Sequence, residues 1–75
     1  MIQIKGLSFS QLQQRLVGNR VRFKSDCTFF PNFDVIGKVI KITNLGVEII
    51  IEILTKDRKQ MKIGSNMKNL RYEIM

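Results

Sequence analysis

Arg20-Val21-Arg22-Phe23-Lys24 alternates charged and apolar side chains without a break. Successive side chains of a β-strand point to opposite faces, so this stretch predicts a strand with Val21 and Phe23 inward and Arg20, Arg22 and Lys24 outward. The period of two persists to the C-terminus. Val35 to Thr43 reads as a second strand, with Gly37 marking a bulge or tight bend. Asn44-Leu45-Gly46 supplies a hairpin turn, because Asn and Gly tolerate positive φ. Val47 to Leu54 is the third strand and Lys59 to Ile63 the fourth, joined by a turn over Thr55 to Arg58. Gly64 to Asn69 reads as one helical or 3₁₀ turn, and Leu70 to Ile74 as a fifth strand.

Upstream of Arg20 the period is helical. Ser8 followed by Gln11 makes a capping box, with Leu7 and Leu12 placed for a hydrophobic staple. Phe9, Leu12 and Leu16 fall on one stripe beside polar Gln11, Gln14 and Arg15. Gly18 suits the left-handed residue that ends a helix, so a short helix is expected from Ser8 to Val17. Composition agrees with one helix and much strand. The chain has no alanine, the best helix former, and eleven isoleucines with five valines, whose β-branching favours pleated strands. At 75 residues it is expected to be a single domain, with 20–74 forming a five-stranded unit.

This order of elements resembles the small SH3-like barrel: strand, long loop, three strands joined by tight hairpins, one helical turn, final strand. The resemblance covers about Gly18 to Ile74 and is one of layout. It implies a five-stranded barrel with the last strand paired beside the first. The aromatic and acidic residues that line the proline-peptide groove of SH3 domains have no clear counterparts here, so layout alone does not supply a function.

Charge supplies the first functional expectation. Thirteen Lys and Arg against six Asp and Glu give +7, a footprint shared by nucleic-acid-binding domains and by proteins that meet acidic partners. Arg20, Arg22 and Lys24 share the outer face of the first strand. Lys38 and Lys41 sit on the second, and a last strand paired beside the first adds Arg71. These six are the expected phosphate contacts. The same positions also read as solvated outward residues, paired across the sheet with Glu48, Glu52 and Glu73.

Ser25 to Asp34 breaks the alternation and reads as a long loop holding Phe29, Phe30 and Phe33 around Pro31 and Asn32. Such rings stack on unpaired bases or anchor a protein partner, and they also suit a plug over one end of a small core. A second apolar feature lies on the hairpin. Val47, Ile49, Ile51 and Ile53 are expected inward, leaving Ile50 outward with Glu48 and Glu52. Ile36, Ile40 and Ile42 fall on the opposite parity from Val35 and Val39. Something must then cover the outer face: the helix stripe is the first candidate and a second copy of the chain the other.

Catalysis is not expected. The chain has no histidine and one cysteine, Cys27, beside Asp26, whose charge raises a thiol pKa. No cysteine-based zinc site, cofactor motif or phosphate loop is present in the sequence. No apolar run approaches the ~20 residues of a membrane span, and the lone cysteine fits a reducing compartment, so a cytoplasmic protein is expected. Enrichment in Ile, Lys and Asn suits an AT-rich bacterial, phage or mobile-element genome. Two functions follow: a small nucleic-acid-binding protein, or a protein-interaction module using the apolar hairpin face or the loop aromatics, with a monomer favoured over a homodimer.

Overall fold

The computed structural model describes residues 1–26 and 32–75. Their elements are β1 (Ile2–Gln3), α1 (Phe9–Leu16), β2 (Arg20–Ser25), β3 (Phe33–Asn44), β4 (Ile49–Thr55), β5 (Gln60–Gly64) and β6 (Arg71–Ile74). The strands form one antiparallel sheet in the order β1-β6-β2-β3-β4-β5. The final strand returns beside the first long one, as the layout implied. Two expectations change: the sheet has six strands, and it does not close into a barrel among the described residues. The added strand is β1, whose two residues pair with Tyr72 and Arg71 at the free edge of β6. It is too short to carry a periodic signal.

The local signals upstream are realised. Ser8 Oγ accepts from the Gln11 N–H at 3.1 Å, and Gln11 Oε1 accepts from the Ser8 N–H at 2.9 Å. Each bond satisfies a donor that the helix start leaves open. After Leu16 the backbone turns extended at Val17, and Gly18 takes φ +86. An L side chain adopts that angle only with strain.

The inner face of the sheet carries the core. Val21 and Phe23 of β2, Val39 and Ile42 of β3, Ile51 and Ile53 of β4, Ile63 of β5 and Tyr72 of β6 are buried together with Leu12 and Leu16 of the helix. The helix therefore covers the inner face, not the outer one expected of it. The hydrophobic effect explains the choice: that face offers the denser apolar surface, and a fully buried leucine contributes about 1.5–3 kcal/mol. Polar groups within the core have partners. Ser25 Oγ donates to the Lys68 carbonyl at 2.7 Å, and Arg15 Nη1 donates to the Tyr72 hydroxyl at 3.4 Å.

The mixed parity of the second strand has a specific cause. Val39 pairs with Ile53 and Lys41 with Glu52, so Ile40 is an extra residue, a β-bulge. One inserted residue reverses the alternation, and Val39 and Ile42 both face inward. Ile40 itself is 41% exposed. The bulge is at Ile40 and not at Gly37, which sits within the ladder opposite Val21 and Thr55. A Cβ at Gly37 would stand 3.0 Å from both the Ile53 Cδ1 and the Leu54 carbonyl oxygen, so glycine allows a close approach of β3 to β4.

Two boundaries also shift. The hairpin turn extends through Glu48, because the Leu45 N–H donates to the Glu48 carbonyl and the Gly46 N–H to Asn44 Oδ1. Val47, expected inward, is 88% exposed in that turn. Ser25 and Phe33 pair with each other, so the loop between β2 and β3 starts and ends inside the expected Ser25–Asp34 span. Before β6 the Met67 N–H donates to the Gly64 carbonyl three residues back, the bond of a single 3₁₀-type turn, and the segment does not extend into a 3₁₀ helix.

Candidate functional site

Residues directly opposite in an antiparallel ladder lie on the same face. Arg20 faces Lys38, Arg22 faces both Ile36 and Glu73, and Lys24 faces both Asp34 and Arg71. The outer face across β6, β2 and β3 thus gathers Arg20, Arg22, Lys24, Lys38 and Arg71, five of the six expected cations. Lys41 stands apart. Beyond the bulge it faces Glu52, which in turn faces Lys62, making a cross-strand row of alternating charge on β3, β4 and β5.

The five gathered cations are not equivalent. Arg22 is held by Asp34 through two parallel bonds, Nε to Oδ1 at 2.9 Å and Nη2 to Oδ2 at 2.6 Å. This paired geometry is the strong form of guanidinium–carboxylate contact. It holds the Asp34 carboxyl below its ordinary value and raises Arg22 above its own. Arg71 Nη1 lies 3.1 Å from Asp26 Oδ2. Asp26 also accepts from Asn69 Nδ2 at 2.5 Å, and those two bonds, Asn69's first, lower its pKa. Arg20, Lys24 and Lys38 make no ion pair among the described residues.

Aspartates, not the expected glutamates, therefore neutralise the patch. Glu48 is engaged elsewhere: its Oε2 accepts from the Asn66 N–H at 3.2 Å, and its carboxylate lies over Gly64 where a Cβ would collide. Glu73 faces Arg22 in register without closing an ion pair. Outer-face apolar residues remain. Ile36, Ile50 and Leu54 are half-buried, with exposed Leu45 close to Ile50.

Phe29 and Phe30, with Cys27, lie outside the described residues. Phe33 begins β3 opposite Ser25 and is half-buried against the core, in keeping with a plug. Among the described residues no group of three His, Cys, Asp or Glu side chains could hold a metal ion, and no helix is long and apolar enough to cross a membrane.

One cation escaped the sequence reading. Lys56, in the β4–β5 turn, joins Arg20 and Lys38 around an open cleft of about 310 Å³, bordered also by Gly18, Gly37, Leu54 and Thr55. Alternation finds residues within a strand and their neighbours across a ladder. It does not reach a turn residue such as Lys56, which lies two positions past Leu54, the residue that faces Lys38 in the β3–β4 register.

Compared with protein-family models, with curated proteins and with solved structures, the chain matches none. Its functional reading rests on the chemistry of this face.

Proposed function

We propose that this protein is a small non-enzymatic binding protein whose outer sheet face, across β6, β2 and β3, takes the phosphate backbone of a nucleic acid. The observation that carries the reading is the register. It sets Arg20, Lys24 and Lys38 on one face with no ion pair among the described residues, while the helix covers the opposite face. Lysine and arginine contacts to phosphates release counterions, so such a face gives affinity without reading bases. The return of β6 beside β2, with the β3-β4-β5 meander on the other side, supports reading the fold as an open relative of the SH3-like layout.

Titrating labelled single- and double-stranded DNA and RNA at two salt concentrations tests the proposal. Phosphate contacts by Arg20, Lys24 and Lys38 would give a log–log salt slope of about −2.7 on duplex DNA, at about −0.9 per contact. Absence of salt-sensitive binding to all four polymers at low salt overturns it. An alternative is a protein partner, drawn to half-buried Ile50 and Leu54 on the outer side of β4. Stoichiometric recovery of one protein from the native host, with no nucleic acid bound, would favour that reading.

A further inference from the structure

The geometry points to the Arg20–Lys38–Lys56 cleft as the seat of one backbone phosphate of the bound nucleic acid, with Lys56 as its third cation. This rests on the proposed function and names where on the face a phosphate is held, rather than merely attracted.

Three features single out the cleft. First, its cations come from three elements: Arg20 from β2, Lys38 from β3 and Lys56 from the turn after β4. They surround a space, whereas Arg22, Lys24 and Arg71 lie side by side on a ladder. Second, its border holds no carboxylate among the described residues. The aspartates that face cations elsewhere are committed: Asp34 to Arg22, Asp26 to Arg71 and Asn69, Asp57 to Lys59 and Thr55. Positive potential in a concave, uncompensated site is focused, and a phosphate entering it meets three charges with little reorganisation. Third, Gly18 borders the cleft without a side chain to fill it: a Cβ there would meet nothing within 4 Å, and its φ of +86 is one that side chains resist.

The turn supplies its own control. Lys59 lies three residues from Lys56, is highly exposed, and pairs with Asp57 at 3.7 Å. Lys56→Ala and Lys59→Ala remove the same formal charge from the same turn, so long-range attraction falls equally in both. If Lys56 touches a seated phosphate, Lys56→Ala weakens duplex binding about tenfold, one charge-assisted contact, and flattens the salt slope by about 0.9. Lys59→Ala then changes affinity less than about twofold. Equal losses in the two variants, or none in either, overturn the cleft while leaving nucleic-acid binding standing.

Amide chemical shifts followed during titration with inorganic phosphate separate the remaining case. Shifts confined to Gly18, Gly37 and Lys56 support the seat, and shifts spread over every lysine overturn it. Localised phosphate shifts without any nucleic-acid binding would overturn the proposed function and with it the nucleic-acid phosphate as occupant.

Discussion

The outer face of the sheet has two ends that a count of charges would treat alike. At one end Arg22 and Arg71 are tied to Asp34 and Asp26. At the other, Arg20 and Lys38 face one another across the ladder, and Lys56 borders the same cleft, with no carboxylate on its border among the described residues. A formal +7 describes attraction at long range, but only cations without an internal partner can exchange water for phosphate at no cost in broken bonds. The committed end instead acts on the fold. Asp26 tethers Arg71 and Asn69, and Asn69 reaches back to Gln3 of β1, so this end fastens the edge of the sheet.

The most severe way to break this contrast is to reverse the uncommitted end. Arg20→Glu, Lys38→Glu and Lys56→Glu together should lower nucleic-acid affinity by at least about a hundredfold, read by fluorescence anisotropy at low salt. The same reversal of Arg22 and Arg71 should cost much less affinity. Equal losses would erase the distinction. Next comes Gly37→Ala, which presses a methyl group on the Leu54 carbonyl and Ile53 where β3 meets β4. It should destabilise the fold by about 1–3 kcal/mol in urea unfolding. An unchanged midpoint would mean that the approach of the two strands is freely adjustable.

A smaller effect should sharpen the contrast from the other side. Asp34→Asn keeps the shape, removes the carboxylate, and releases Arg22 to solvent. Affinity for duplex DNA should rise about two- to threefold, with the salt slope steeper by up to about 0.9. No gain would show that Arg22 points away from the bound strand. The smallest effect is in the pH dependence of stability. Asp26 and Asp34 have carboxyls lowered from 3.8, so their unfolded forms bind protons more readily than their folded forms. Their contribution to stability is complete above the ordinary carboxylate range and is lost as pH falls through the lower folded values. Urea midpoints between pH 5 and pH 2.5 should fall with acid, at about these pH values, and Asp34→Asn should flatten the fall. A midpoint equally steep in the variant would detach the Arg22 pair from acid sensitivity.

Much of this was legible in residue order. The capping box at Ser8 and Gln11 forms because its bonds span three residues and need no distant partner. The alternation of Arg20 to Lys24 translates directly into two faces, since a strand has no other way to place its side chains. The partners of the cations were not legible. Asp34 reaches Arg22 only because the β2–β3 register slides it one diagonal away, while the broken alternation before it reads as the end of a loop.

Sequence by itself determined the local periods: a short helix, then strands, with Arg20, Arg22 and Lys24 on one side and Val21 and Phe23 on the other. Those outcomes follow from bond geometry over a few residues. Tertiary structure decided which face the helix covers, the bulge at Ile40 that turns Val39 and Ile42 the same way, the edge strand at Ile2–Gln3 and the meeting of Lys56 with Arg20 and Lys38. Each depends on strands far apart in the chain competing for the same apolar surface and backbone partners. No local pattern records who wins that competition.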